Sequence, residues 1–390
     1  MCTSPMRGFD TGYLTDKGKP LYKICKSDRD FIHKPLTRED AMSKRGRCYD
    51  DYIIRDYKLI PCGKCWQCRL DYTRVWAIRC YLEALDYEQN WMVTLTYDDA
   101  NVPKSKKTGE LTLRKKDCQD FMKNLRITWE RKHGHGPVYM KDLLNENVLE
   151  DNGKKIEVEP GIRYFLAGEY GGDDEYTDRL GQKRKGTRRP HYHFIGFNLP
   201  LFDLKPLFVN ELNQQVYYSA ELTKLWGKGH VTVCKSNWNT CAYVARYILK
   251  KQKGPDAGEY YSEKGIIPEF TMCSLKPGIG QKYYEKHKEE IFNNDEIVVE
   301  KLKMDKYGGV KKEIVRVKPP KYFVDLYAKE KPEFVEKLKK ERELCSKKRH
   351  EEMMSKTSIE EIEYLRESER KLREKMRDVR RKFLEEVSIG

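Results

Sequence analysis

The tightest constraint on this chain is the run RRPHYHFIGF, residues 188–197. Its apolar and aromatic side chains read as a β-strand, along which successive side chains alternate faces. His191, His193, Ile195 and Phe197 therefore share one side, and Tyr192 and Phe194 take the other. Two imidazoles at i and i+2 can bind one ion, although a lone His-x-His pair is equally compatible with two structurally satisfied histidines. The run GIRYFLAGEYGG, residues 161–172, supplies a third donor: it is β-prone and ends on Glu169 ahead of a Gly-Gly turn. If it pairs antiparallel with the first strand, a carboxylate reaches the two imidazoles. Two histidines and one carboxylate leave coordination positions open for substrate oxygens, as a catalytic metal requires.

A second signal is CAYVARYILKK, residues 241–251. At roughly 100° per residue, Tyr243, Arg246, Tyr247 and Lys250 fall on one part of a helix surface. Cys241, Ala242, Val244, Ala245, Ile248 and Leu249 cover the rest. This predicts an apolar arc packed on a sheet, with two phenols and two cations looking outward together. Asn237 or Asn239 is placed to cap the helix. The tyrosines are either amphipathic packing residues or nucleophiles. A phenol with a pKa near ~10 is a poor nucleophile at neutral pH, and flanking positive charge would favour phenolate and attract phosphate.

A His-hydrophobe-His strand followed by Tyr-x-x-x-Tyr-x-x-Lys on a helix resembles the HUH-type rolling-circle replication initiators. The double-tyrosine form resembles those of the small single-stranded DNA phages, the Microviridae. CGKCWQCR at 62–69, WMVTLTYDD at 91–99 and SLKPGIG at 274–280 are similar to stretches of the gokushovirus initiators, so the resemblance covers about residues 60–285. Tyr192 departs from it, being aromatic where the simplest motif is aliphatic, but it faces away from the histidines. The resemblance implies an α+β fold, an antiparallel-sheet HUH endonuclease domain with an RRM-like palm and the metal ligands on central strands. It implies Mg2+ or Mn2+ on His191, His193 and Glu169, with Tyr243 and Tyr247 as nucleophiles forming a 5′-phosphotyrosine and Lys250 at the phosphate. Single-stranded DNA, phage origin DNA, a host helicase and a host polymerase are the implied partners, in the cytoplasm of a bacterial host.

Charge agrees with such partners. The chain carries 77 Lys and Arg against 62 Asp and Glu, a formal net charge of +15. Runs such as Arg114-Lys115-Lys116, Arg184-Lys185 and Arg188-Arg189 flank the proposed site. Nucleic acid is the natural partner of such a surface, with Arg188, Arg189 and Arg246 as DNA-binding candidates; a merely solvated basic surface is the alternative. No run of 18 apolar residues predicts a membrane span, and the N-terminal MCTSPMRGFDTGY lacks the apolar core of a secretory signal. Twelve cysteines without an export signal are expected as thiols or metal ligands rather than disulfides. Cys62 and Cys65 have the spacing of a structural zinc knuckle, Cys68 can join them, and Cys48 and Cys80 are the nearest candidates for a fourth ligand. Free thiols are the alternative.

The 390 residues suffice for one large catalytic domain and appendages. The expected division is an N-terminal segment with the cysteine cluster (1–85), the endonuclease domain (86–285), and a hairpin with a charged helical region (286–390). Helices are expected over 69–89 and 115–132, strands over 91–97 and 229–233, and a hairpin over 294–317. Pro319-Pro320 marks a break before helices over 332–355 and 358–387, the second opened by a Ser358-x-x-Glu361 capping box. His133 and His135 alternate with glycines and His230 has no pairing residue, so none is expected as a ligand. Two other classes fit the composition: a non-catalytic, zinc-containing DNA-binding protein, and a structural protein assembled through its C-terminal helices.

Overall fold

Apolar residues recurring at period two become strands here, and those recurring every three to four become helices. The computed structural model describes residues 2, 5–14, 20–25, 57–133, 138–139, 150–151, 154–155, 157–158, 161–172, 175–177, 183–210, 214–247, 257–304, 310–356, 367–368, 370–371 and 374. Along the chain come β1 (Met6–Leu14), β2 (Pro20–Cys25), β3 (Tyr57–Ile60), α1 (Trp66–Ala84), β4 (Trp91–Tyr97) and α2 (Lys115–His133). Next are β5 (Arg163–Tyr170), β6 (Pro190–Phe197), β7 (Leu204–Val209), β8 (Gln215–Ser219), α3 (Ala220–Trp226), β9 (Gly229–Lys235) and α4 (Trp238–Arg246). The remainder is α5 (Ala257–Lys264), β10 (Phe270–Cys273), α6 (Gln281–Asn294), β11 (Ile297–Met304), β12 (Val310–Val317), α7 (Lys321–Glu330) and α8 (Pro332–Ser355). The expected helix over 358–387 and its capping box lie outside the described residues. No described helix is long and apolar enough to cross a membrane.

Two compact units result, Met1–Tyr72 with Lys340–Arg381, and Thr73–Lys339 with Lys382–Gly390. The first holds a three-stranded antiparallel sheet in the order β2-β1-β3, with Met6 opposite Ile60. The second is an α+β body around a seven-stranded sheet in the order β7-β8-β9-β4-β6-β5-β10, every neighbour antiparallel. The β7–β8 hairpin and β10 add to the strands expected from sequence. β7 is a largely exposed edge with a register shift between Pro206 and Phe208, and it shows no alternation to read.

The sheet is covered on both faces. On one, Val93, Leu95 and Tyr97 of β4, Leu166 of β5 and Tyr192 and Phe194 of β6 pack with Phe121, Leu125 and Trp129 of α2 and Trp226 of α3. Here Tyr192 earns its aromatic ring. Its hydroxyl lies 2.8 Å from that of Tyr97 and accepts from the Arg114 amide at 2.9 Å, while Tyr97 donates to buried Asp117 at 2.7 Å. On the other face Phe165 and Ala167 of β5 and Ile195 and Phe197 of β6 pack with Cys80, Cys241, Val244, Tyr247 and Ile279. The start of β9 admits only glycine: at Gly229, with φ +143, a Cβ would sit 2.4 Å from the Asp98 amide and the Thr96 carbonyl.

The SLKPGIG stretch is an anchor point. Glu83, 1% exposed, ion-pairs with Arg163 and accepts the Gly280 amide at 2.6 Å. Arg163 donates to the Pro277 carbonyl at 2.8 Å, and Arg79 to that of Ile279 at 3.0 Å. Neither Glu83 nor Arg163 stands out in the sequence as a structural residue.

Candidate active site

Strand register builds the site. In the β6–β5 ladder His191 lies opposite Glu169, and in the β6–β4 ladder His193 lies opposite Thr94. Alternation then turns both imidazoles and the carboxylate to the face covered by α4. Glu169 Oε1 stands 2.7 Å from His191 Nε2 and 3.2 Å from His193 Nε2. Glu169 and His193 are buried and His191 is half-buried.

The far ring nitrogens decide what this convergence means. His191 Nδ1 donates to the Arg189 carbonyl at 3.0 Å; a carbonyl only accepts, so Nδ1 carries the hydrogen and the neutral ring presents a lone pair at Nε2. His193 Nδ1 is 2.9 Å from the Thr94 hydroxyl, which can hold the same tautomer. Lone pairs aimed at a carboxylate oxygen repel unless a proton or a cation lies among them. Three donor atoms within 4.8 Å of one another, from two adjacent strands and with outer nitrogens pinned, fit a divalent cation. Thr94 was readable in WMVTLTYDD as a polar residue on the face opposite Val93 and Leu95, yet no spacing rule singled it out.

Helix α4 starts from a capping box: Asn237 accepts the Thr240 amide at 3.0 Å, and Thr240 Oγ1 accepts the Asn237 amide at 2.8 Å. Of the two asparagines expected as caps, Asn237 is the one used. The Tyr247 ring stacks on His193 with centroids 4.5 Å apart and planes 3° from parallel. Tyr243 meets His193 edge-on at 5.5 Å and Tyr247 at 5.0 Å. This corrects the expected orientation. Arg246 is exposed, but Tyr247 is buried and Tyr243 half-buried, both turned onto the sheet. The patch beneath them is made of imidazoles, which aromatic rings cover better than aliphatic chains.

The expected electrostatics are corrected too. Burial first, and the Glu169 carboxylate second, push Tyr243 up to about 12, against a smaller downward pull from Arg246. The same causes, with hydrogen bonds to Tyr243 and Glu169, hold Tyr247 well above the ordinary phenol range. Both are therefore phenols: the helix cations do not offset burial beside a carboxylate.

The arginines read as DNA contacts are placed differently from one another. Arg188, at φ +51, donates to the Tyr260 hydroxyl at 2.7 Å and lies over the Tyr170 ring. Arg189 donates to the Tyr97 carbonyl at 2.8 Å and ion-pairs with Asp99. Both side chains are half-buried and brace the entry to β6, whereas Arg246 is exposed on α4. Lys250 lies outside the described residues, as do Cys48 and His135. His230 is exposed on β9.

A second group of donors lies in the other unit. Cys2, Cys62, Cys65 and Cys68 have their sulfurs within 4.8 Å of one another, an arrangement able to hold a metal ion. The fourth cysteine is thus Cys2, correcting the expectation of Cys48 or Cys80; Cys80 is fully buried in the core beside Cys241. Local spacing cannot find Cys2, because β1–β3 pairing brings it in from a distant part of the chain.

A family model for replication-associated proteins of the ORF2 type matches residues 90–252. The chain is 30% identical over 325 residues to the Replication-associated protein ORF2 of Spiroplasma virus 4, covering 83% of this chain and 84% of that protein. It is 30% identical over 274 residues to the Replication-associated protein VP4 of Bdellovibrio phage phiMH2K, covering 70% and 69%. Against the Replication-associated protein ORF4 of Chlamydia phage 1 it is 28% identical over 196 residues, covering 49% and 38%. No solved structure matches.

Proposed function

The chain belongs to the ORF2 family of replication-associated proteins, and we propose that it initiates rolling-circle replication of a single-stranded DNA phage genome as an HUH-type nicking enzyme. One observation carries the reading: His191, His193 and Glu169 converge within 4.8 Å, and the rings of Tyr243 and Tyr247 pack against one of those histidines. A structural histidine pair has no need of two phenols above it.

In this reading a single-stranded segment of the origin places its scissile phosphate between the histidines and α4. A divalent cation on Glu169, His191 and His193, Mg2+ or Mn2+, would supply Lewis-acid polarisation of the phosphate oxygens. The oxygen of Tyr243 or Tyr247 attacks phosphorus, forming the tyrosyl O–P bond as the bond from phosphorus to the 3′ oxygen breaks. The phenol gives up its proton, and the released 3′ oxygen takes one up as a hydroxyl. One phosphodiester replaces another, so the reverse exchange rejoins strands without ATP. The free 3′-hydroxyl primes a host polymerase, and a host helicase separates the strands. The second tyrosine permits a second cleavage while the first holds its product, which suits release of a unit-length circle. Arg246 and Lys250 serve the phosphate charge, and Arg188 and Arg189 shape the approach to it.

The test is a denaturation-resistant adduct between full-length protein and end-labelled single-stranded origin DNA. Adduct that forms in Mn2+, disappears in EDTA and is lost in the Tyr243→Phe/Tyr247→Phe double variant is the expected result. Intact protein that binds authentic origin DNA under these conditions and never forms an adduct would overturn the reading in favour of a non-catalytic DNA-binding protein.

A further inference from the structure

The four-cysteine group lies outside residues 90–252, the stretch matched by the family model, and nicking chemistry makes no use of it. Its geometry is specific. Pairing of β1 with β3 sets Met6 opposite Ile60 and so carries Cys2 to Cys62, whose amide donates to Cys2 Sγ at 3.3 Å. Gly63 then takes φ +69, a left-handed turn that favours glycine even though nothing lies within 4 Å of where its Cβ would be. That turn aims the amides of Lys64 and Cys65 at Cys62 Sγ, at 3.4 and 3.2 Å, and the Cys68 amide reaches Cys65 Sγ at 3.5 Å. Amides directed at sulfur stabilise thiolates, as does the start of α1, where Cys68 sits.

Sulfur spacing separates the two uses of such a group. Cys2 Sγ and Cys65 Sγ are 3.7 Å apart. A disulfide requires about 2.05 Å, whereas a tetrahedral ion with metal–sulfur bonds of ~2.3 Å sets its sulfurs ~3.8 Å apart. Every donor in the group is sulfur, so four thiolates complete a tetrahedron and leave no position for a substrate. We propose that Cys2, Cys62, Cys65 and Cys68 form a closed tetrathiolate site for one structural zinc ion, which fastens the N-terminus of the chain to the first turn of α1.

The test uses full-length protein purified without chelator: elemental analysis for zinc and iron, and X-ray absorption at the zinc edge. One zinc per chain in an all-sulfur shell is expected. Zinc on Glu169, His191 and His193 would show a nitrogen and oxygen shell instead, so the two sites are distinguishable. Cys2→Ser lowers the sulfur-bound zinc at least tenfold, Cys2→His retains it, and Cys345→Ser, altering an exposed cysteine of α8, leaves it unchanged. Should Cys2→Ser fail to fold, the native protein decides alone. Absence of zinc, iron in its place, a shell without sulfur, or a disulfide among these four cysteines overturns the proposal.

Discussion

Replacing Thr94 by valine tests how the histidines are held. The Thr94 hydroxyl is 2.9 Å from His193 Nδ1, and valine keeps the branched shape while removing that oxygen. His193 is buried, so its outer N–H loses its partner and gains no water. Two costs follow. Leaving a buried donor unsatisfied costs roughly 1–3 kcal/mol of stability. A ligand that has lost its outer hydrogen bond typically weakens metal binding by roughly 10- to 100-fold, about 1.4–2.7 kcal/mol.

The assay is adduct formation at graded Mn2+. Thr94→Val should move the half-maximal concentration up by roughly 10- to 100-fold, with the yield at saturating Mn2+ retained and DNA binding in EDTA unchanged. Thr96→Val is the matched control. Thr96 faces His191 in the ladder, but His191 Nδ1 is held by the Arg189 carbonyl, which no side-chain change at 96 removes; its midpoint should stay at the wild-type value. An unmoved midpoint in Thr94→Val, or an equal shift in both variants, refutes the reasoning.

Either tyrosine alone should sustain an adduct, but Tyr243→Phe should lose more of the first one than Tyr247→Phe, because Tyr243 is half-buried while Tyr247 lies buried against His193; peptide mapping of the labelled residue reads this directly. Glu83→Gln breaks a buried ion pair with Arg163 and should cost roughly 3–5 kcal/mol in urea unfolding while leaving the Mn2+ midpoint in place; a shifted midpoint would tie the SLKPGIG anchor to the site. Gly63→Ala meets no neighbour but must hold φ +69, a penalty of roughly 1–2 kcal/mol, seen as roughly 5- to 30-fold faster loss of the cysteine-bound zinc to a competing chelator.

What could be read from the sequence was whatever alternation within one element dictates. The shared face of His191 and His193 follows from period two alone, and the Glu169 strand could be matched to them because both runs are short, apolar and end on polar turns. Cys2 could not be found that way, since its place depends on the β1–β3 register and no local pattern reports it. Nor could Arg188 and Arg189 be told from solvent-facing cations: the tyrosine and backbone carbonyl that hold them come from Tyr260 and Tyr97, far away in the chain.

The tyrosine helix shows where periodicity itself misleads. A helical wheel sorts side chains by water against hydrocarbon, and on that scale Tyr243 and Tyr247 group with Arg246. The surface that α4 covers is neither: it is a cluster of imidazoles around a carboxylate. Phenol rings suit it on both counts, stacking on His193 while their hydroxyls stay among polar partners, so the pair turns inward and leaves Arg246 outside. Tyr192 makes the same point from the other face of β6, where an aliphatic residue would fill the volume but leave the hydroxyl of Tyr97 and the amide of Arg114 without their shared partner. Residues with an apolar body and a polar tip take their direction from the surface they meet, and that surface is assembled only when distant strands pair.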